Sequence, residues 1–289
     1  MATLAVSNIA WSSEDEPAVA AALMRLSVTR VEVAPTKVFA DPLAVSEKER
    51  GRYQKFWADH GISIVAFQSM LFGREGLQLF GEPGSRRELI ETLRGFIDLA
   101  GSMGVHRLVF GSPKNRVRPP HMSEREAFTI AVDAFSVLGE SAFRSGTVLC
   151  IEPNPPAYEC NFVVNAAQAR RLVGAVQSQG FGLHLDAAGL TLAGDDLAAE
   201  VVASGDAIQH FHISAPQLGP ISAAGVDHRG AARSLKRVGY EGCVSIEMRP
   251  VPGSAAVESV EQAVNTARTE YAALFDGRKD SVFSSPSSE

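Results

Sequence analysis

The feature that most constrains this sequence is a repeated alternation of short apolar runs with longer segments of helical pattern. Most runs are apolar at nearly every position, as expected for strands that are covered on both faces. The intervals between them are too long for hairpin turns and suit the helical crossovers that parallel strands need. The pattern predicts eight β-strands, at residues 4–9, 30–34, 63–68, 107–111, 148–152, 182–186, 209–214 and 244–248.

The intervening segments carry the start and stop signals of helices. Pro17 stands near the start of the first helix, where its missing N–H costs nothing. Ser123 with Glu126, and Asn165 with Gln168, have the spacing of capping boxes. Residues 257–275 predict one long final helix. Five glycines stand just past predicted helices, where a left-handed cap is wanted: Gly61, Gly104, Gly146, Gly180 and Gly239.

Eight strand–helix units of this length predict an α/β protein with a single (β/α)8 TIM barrel. The competing architecture is an open doubly wound sheet, but no Gly-x-Gly-x-x-Gly loop follows the first predicted strand. We expect residues 1–276 to form the barrel domain. The Ser-rich residues 277–289 are expected to be a disordered tail.

Composition narrows the compartment and the partners. The net charge of −6 gives nucleic acid no electrostatic reason to bind. No apolar run reaches the roughly 20 residues that cross a bilayer, and no signal peptide is visible at the N-terminus. Cys150, Cys160 and Cys243 are too few for a disulfide framework, so we expect reduced thiols. The sequence predicts a cytoplasmic protein, with a homo-oligomer left open.

Potential metal ligands close the last four predicted strands. They are Glu152, Asp186, His212 and Glu247. The active site of a barrel of this kind lies at the C-terminal ends of its strands, so these side chains should share one height. The first half of the chain places different residues at the same level, namely Asn8, Glu32, Gln68 and Gly111.

Three carboxylates gathered in a barrel mouth require a compensating cation. A ligand set of three carboxylates and one imidazole favours Mn²⁺, Mg²⁺ or Co²⁺, with Zn²⁺ possible. For any single carboxylate a salt bridge or helix cap would be the more common role. Residues two positions earlier on each strand share the inward face, one step deeper, and could hydrogen-bond the ligands: Cys150, His184, His210 and Ser245.

Taken together, these residues resemble the xylose isomerase-like TIM-barrel superfamily, and most of all its sugar (phosphate) isomerase and epimerase branch. The resemblance rests on the four strand-end residues, on residues 31–35 (Val-Glu-Val-Ala-Pro) and on residues 239–247 (Gly-Tyr-Glu-Gly-Cys-Val-Ser-Ile-Glu). It implies that Glu152, Asp186, His212 and Glu247 bind one divalent metal ion. It also implies that Glu152 and Glu247 transfer protons.

The sequence departs from that family in two places. Members often carry Asp-x-x-His on the sixth strand, whereas here Asp186 is followed three positions later by Gly189. The Pro-Gly-x-Gly loop common after strand seven is replaced by residues 214–220 (Ser-Ala-Pro-Gln-Leu-Gly-Pro). The metal site is still predicted despite these changes, but the identity of the substrate is not.

The leading hypothesis is a metal-dependent isomerase or epimerase of a sugar, sugar phosphate or related hydroxy-ketone, acting through a metal-stabilised cis-enediolate. A leaving hydroxyl at the β-carbon would make the same chemistry a dehydration, so a lyase of the inosose or dehydroshikimate dehydratase type is the alternative. A phosphodiester hydrolase is disfavoured, because Gln68 and Gly111 stand where it would need histidines. A non-catalytic barrel is the fourth possibility.

Further residues near the predicted mouth are weaker candidates for binding a carbohydrate-like substrate. Lys114 and Arg116 could hold a phosphate or carboxylate group, although a solvated basic loop is equally consistent with them. Residues 70–84 predict either a lid or a segment packed on the barrel rim. The remaining candidates are Gln68, His184, His228 and Arg249.

Overall fold

Parallel strands pair in the order of the chain and close into a barrel in the computed structural model, which describes residues 1–275. The strands are β1 Thr3–Ser7, β2 Arg30–Val33, β3 Ser63–Phe67, β4 Arg107–Phe110, β5 Val148–Ile151, β6 Phe181–Asp186, β7 Ile208–Ser214 and β8 Cys243–Glu247. Strand β1 pairs with both β2 and β8, so this sheet has no open edge. The predicted single (β/α)8 barrel is confirmed, and the open doubly wound sheet is excluded.

Helices surround the barrel and bury its outer face. They are α1 Glu16–Arg25, α2 Pro35–Val38, α3 Glu47–Asp59, α4 Pro83–Ser102, α5 Glu124–Arg144, α6 Ala166–Val176, α7 Ala187–Ala193, α8 Leu197–Ser204, α9 His228–Arg237, α10 Ala256–Glu270 and α11 Ala272–Phe275. Short 3-10 turns lie at Asn8–Ala10, Pro113–Arg116, Pro156–Tyr158, Gly205–Ala207 and Pro216–Leu218. The outward apolar side chains of the strands and the inner faces of the helices form one continuous core.

The helix ends follow the predicted signals with two exceptions. Ser123 and Asn165 accept hydrogen bonds from the backbone three residues on, as N-caps do. Four of the five glycines have positive φ, but Gly180 does not. A Cβ at Gly180 would lie 2.0 Å from the carbonyl oxygen of Gly139, so this glycine permits close approach to α5. The predicted final helix is interrupted at Tyr271.

The predicted tail, residues 277–289, lies outside the described residues. Among residues 1–275, no helix combines the length and apolar character needed to cross a membrane. The three cysteines are free thiols, with Cys150 and Cys160 buried and Cys243 half-buried.

The register of the last three strands decides where their side chains meet. Asp186 on β6 pairs with His212 on β7, and Ser214 pairs with Glu247 on β8. Residues 212 and 214 lie two apart on β7 and therefore share the inward face. The C-terminal ends of these strands thus direct an aspartate, a histidine and a glutamate into one end of the barrel.

Candidate metal centre and active site

The four strand-end residues of the second half converge at the C-terminal mouth. His212 Nδ1 lies 3.3 Å from Glu247 Oε2 and 4.0 Å from Asp186 Oδ2. Glu152, Asp186 and His212 each offer a potential ligand atom, and these atoms lie within 4.8 Å of one another. The Glu247 side chain is the most open of those flanking His212, at 12% exposed. Four side chains that are up to 95 positions apart in the chain therefore form one small cluster that is largely shielded from solvent.

Asp186 serves both as a helix cap and as part of this cluster. Its Oδ1 accepts a 2.5 Å hydrogen bond from the backbone N–H of Gly189, which caps α7. The hydroxyl of Ser214 donates to the other oxygen, and Ser214 accepts a 3.0 Å bond from Ala188 N–H. The structure thus shows the cap that the sequence offered as an alternative, while Oδ2 still faces His212. Capping and ligation are compatible because they use different oxygens.

Glu152 is held in place by residues of the loop that follows β4. A Cβ at Gly111 would lie 2.1 Å from Glu152 Oε2, so glycine leaves room for the carboxylate. Arg116 is fully buried and donates to the carbonyl oxygens of Phe110 and Glu152 at 3.2 and 2.6 Å. It also donates to Asn154 Oδ1 at 3.1 Å. These contacts fix the end of β5 against the end of β4.

Glu32 is a residue of the site for which the sequence predicted only a position at the end of a strand. It lies on β2, is fully buried, and its two oxygens stand 3.1 and 2.9 Å from His212 Nε2. His210 Nε2 lies 3.3 Å from Glu32 Oε1. Burial would raise the pKa of Glu32, but the charges of His212 and His210 outweigh it and hold that pKa well below its ordinary value. Sequence spacing gives no sign of a contact across the barrel.

Two further histidines lie beneath the cluster, as the period of the strands predicts. The ring centroid of His184 is 4.1 Å from that of His212, and the His210 centroid is 5.4 Å from it. Burial, followed by the nearby His212 and His210, lowers the pKa of His184 well below its ordinary value. We therefore expect His184 to be neutral at physiological pH.

Burial also shifts the acidic groups of the mouth. It raises the pKa of Glu152 to about 8, with the charges of Asp186 and Glu247 adding to the rise. Burial and then Glu247 raise the pKa of Asp186 to about 6. Burial disfavours a charge on His212, but Glu32 and Glu247 outweigh it and raise its pKa well above the ordinary value. The carboxyl groups of the cluster thus lie close together, and His212 alone does not supply enough positive charge to keep the pKa of Glu152 and Asp186 at ordinary values.

The residues present fit a divalent cation. Three carboxylates and an imidazole suit a metal with oxygen and nitrogen ligands. His212 Nδ1 is buried and makes no hydrogen bond of good geometry among the described residues, although Glu247 Oε2 lies 3.3 Å away. A cation would satisfy that nitrogen and would lower the pKa of both raised carboxyls. The fit rests on these two observations together.

The family profile of xylose isomerase-like TIM barrels matches residues 20–269. The chain belongs to this family. Among curated proteins, none matches it by sequence. Its fold is similar to that of solved structures at low identity, and such likeness concerns the fold alone.

Three of those structures indicate the range of the fold. A D-psicose 3-epimerase from Clostridium cellulolyticum H10, solved with D-tagatose, has 13% identity and a TM-score of 0.77, over 93% of this chain and 99% of that one. A 3-keto-D-glucoside 4-epimerase from E. coli has 16% identity and a TM-score of 0.77, over 93% and 100%. An IolI protein with a bound zinc atom has 17% identity and a TM-score of 0.74, over 95% and 99%.

The weaker candidates are dispersed in the structure. Lys114 is exposed and pairs with Glu75 at 3.2 Å. His228 starts α9, and its Nδ1 lies 3.1 Å from the Tyr271 hydroxyl. Arg249 is exposed just after β8, and its backbone N–H donates to the loop after β7 at Leu218. Two other candidates, Gln68 and His184, are buried.

The segment after β3 packs on the barrel rim. Met70, Leu71 and Leu79 are buried, whereas Phe72 is 80% exposed. Asn115, in the turn after β4, donates to the carbonyl of Leu77 at 2.7 Å and accepts from Leu79 N–H at 2.8 Å. Of the two roles predicted for residues 70–84, this structure shows the packed segment.

Tyr158 is a further residue at the barrel mouth, and no motif in the sequence indicated it. It is half-buried in the turn after β5, and its hydroxyl accepts a 3.3 Å bond from Gln217 N–H in the loop after β7. Burial raises its pKa, and the charges of Asp186, Glu152 and Glu247 act in the same direction. Tyr158 therefore joins two loops beside the acidic cluster.

Proposed function

We propose that the protein is a divalent-metal-dependent isomerase or epimerase of a sugar, sugar phosphate or related hydroxy-ketone. The observation that carries this proposal is the convergence of Glu152, Asp186, His212 and Glu247 around His212 Nδ1. Membership of the xylose isomerase-like family and the likeness in fold to sugar epimerases support it. A cytoplasmic location remains part of the proposal, and the oligomeric state is left open.

The same four side chains would hold the ion. When bound, it would offset the carboxylate charge and polarise a substrate carbonyl, which makes the neighbouring C–H more acidic. Mn²⁺, Mg²⁺ or Co²⁺ suits the oxygen-rich donors, and Zn²⁺ is compatible with them. The zinc atom in the IolI structure is consistent with that wider range.

Glu152 and Glu247 are the proposed proton-transfer groups. Both belong to the shielded cluster, on either side of His212 and Asp186, so each carboxyl can reach a substrate bound there. One glutamate removes a proton next to the substrate carbonyl and the other returns one. Return to the same carbon from the other face gives an epimer, whereas return to the adjacent carbon gives the isomer. Arg116 and Gly111 orient Glu152 for this step.

A dehydratase is the second candidate, and the observation behind it is Gly189. A glycine stands where relatives often carry a histidine, and its N–H is committed to Asp186. The missing side chain alters the contacts available to substrate beside α7. Loss of a β-hydroxyl in place of proton return would then release an unsaturated product.

The test begins with protein stripped of metal and resupplied with Mn²⁺, Mg²⁺, Co²⁺ or Zn²⁺ in turn. Each form is incubated with a panel of ketoses, their phosphates and inososes, and the products are followed by mass and by ultraviolet absorbance. We expect turnover only with metal and products of unchanged mass; a product lighter by one water would establish the dehydratase. Glu247→Gln should abolish turnover while retaining metal, and undiminished turnover in it would refute the two-glutamate mechanism.

A further inference from the structure

We infer that Glu32 is a positioning residue that fixes which nitrogen of His212 faces the metal site. The inference rests on the proposed function, since it concerns the same site. Glu32 comes from β2, whereas the four proposed ligands come from β5 to β8. It would therefore control the metal centre from the other half of the barrel without touching the ion.

The hydrogen-bond geometry sets the roles of the two ring nitrogens. Both Glu32 oxygens lie close to His212 Nε2, at 3.1 and 2.9 Å. An ionised carboxylate only accepts hydrogen bonds, so Nε2 must carry the hydrogen. In the neutral ring Nδ1 then carries the lone pair, and Nδ1 is the atom beside Glu247 and Asp186. Glu32 thus selects the tautomer that can bind a metal ion.

Glu32 also lies beside a second histidine. His210 Nε2 lies 3.3 Å from Glu32 Oε1, one inward position below His212 on the same strand. The carboxylate therefore stands between two imidazoles, and all three groups are fully buried or nearly so. Held there, its charge increases the basicity of the His212 ring without adding a fourth carboxylate to the ligand set. Outer carboxylates of this kind typically alter metal affinity by about 10- to 100-fold.

The test compares Glu32→Gln with Glu16→Gln. Both replacements remove a carboxylate charge while keeping its shape, but Glu16 lies on α1 and bonds the Tyr53 hydroxyl at 3.0 Å. We expect the Kd for Mn²⁺, measured by electron paramagnetic resonance, to rise about 10- to 100-fold in Glu32→Gln. Glu16→Gln should stay within twofold of the wild type.

A second measurement uses the wild-type chain and therefore does not depend on the variant folding. In Zn²⁺-loaded protein labelled with ¹⁵N-histidine, His212 should show a hydrogen on Nε2 that exchanges slowly with solvent. A hydrogen on Nδ1 would overturn the inference, and so would an unchanged Mn²⁺ affinity in Glu32→Gln. Failure of the proposed function looks different: wild-type protein would bind no stoichiometric divalent ion, or would bind it and convert no substrate of the panel to a product of unchanged mass.

Discussion

The two halves of the barrel mouth differ sharply in chemistry. The ends of β5 to β8 bring three carboxylates and a histidine together, with little exposure to solvent. The residues that end β1, β3 and β4 are instead two amides and a glycine. Asn8 Oδ1 accepts from Ala34 N–H at 2.8 Å, and the Gln68 amide donates to the Ser7 hydroxyl. Glu32 is the charged residue among these strand ends, and it reaches over to β7.

The carboxylates that face one another are thus concentrated at the strand ends of the second half, whereas the first half contributes mainly neutral strand-end residues together with Glu32. A cation held by the second half would lie off the barrel axis.

Gly111→Ala should place a methyl group from the first half of the mouth against the Glu152 carboxylate of the second half. The new Cβ would lie 2.1 Å from Glu152 Oε2 and must move it. Because small misplacements of reacting groups are costly, we expect kcat to fall by about 100-fold or more. Gly51→Ala in α3 is the matched control, since a Cβ there meets nothing within 4 Å. Normal kcat in Gly111→Ala would mean that the position of Glu152 is unimportant.

Arg116→Met should separate the two strands at the boundary between the halves. The substitution keeps an apolar chain of similar reach but removes the Arg116 donor from the carbonyl oxygen of Glu152 and from Asn154 Oδ1, whereas the Phe110 carbonyl keeps its bond from Glu152 N–H. We expect the free energy of unfolding in urea to fall by about 3 kcal/mol. An exposed cation supplies the control: Arg144→Met, which removes an i,i+4 pair with Glu140, should change stability by less than about 1 kcal/mol. Equal effects of the two changes would contradict a structural role for Arg116.

Stability of the metal-free protein should fall as pH rises from about 5.5 to 7.5. The folded pKa of Glu152 is raised to about 8, so the folded chain keeps a proton that the unfolded chain has already released. Asp186, raised to about 6, acts in the same direction at the lower end of this range. The raised pKa of His212 adds to this fall, whereas the lowered pKa values of His184 and His210 oppose it, because those imidazoles bind protons only in the unfolded chain. Linkage then predicts a net loss of about 1 kcal/mol in the free energy of unfolding.

Urea titrations at several pH values, with and without Mn²⁺, measure this dependence. Added metal should remove or reverse the loss, because it stabilises the ionised carboxylates. A metal-free protein whose stability rose steadily across the same range would show that the carboxyl protons are not retained on folding.

Lys114→Ala should have the smallest effect. Its ammonium group is exposed and forms a surface ion pair with Glu75. The free energy of unfolding should therefore change by less than about 1 kcal/mol. If the substrate is uncharged, KM should also stay within about twofold. A tenfold rise in KM for a phosphorylated substrate only would assign Lys114 to phosphate binding. Glu75→Gln, which removes the other partner, controls for loss of the pair.

The sequence predicted the strands and the grouping of four strand-end residues, because these depend on local pattern and on chain order. Alternation along β7 placed His210 and His212 on one face, and parallel strands put their ends at one level. The contact between Glu32 and His212 was beyond such reasoning, since it depends on how far side chains reach across the closed barrel. Arg116 could be interpreted as a solvated cation for the same reason: the sequence does not show which loop residues turn inward.

Gly111 and Gly180 illustrate the limit more generally. Both are glycines with no need for a left-handed backbone, and each makes room for atoms that come from another part of the chain. Gly180 looked like a helix cap because it follows a helix and precedes a strand. Only the packed structure shows that it lies against the backbone of α5.

The contact between Glu32 and His212 joins positions 180 residues apart. During synthesis, Glu32 is therefore made long before its partner His212 on β7. Glu247 on β8 is made later still. A half-finished chain has no place to capture an ion selectively. Metal uptake would thus report that the ring of strands has closed, and it would come late in the maturation of each molecule.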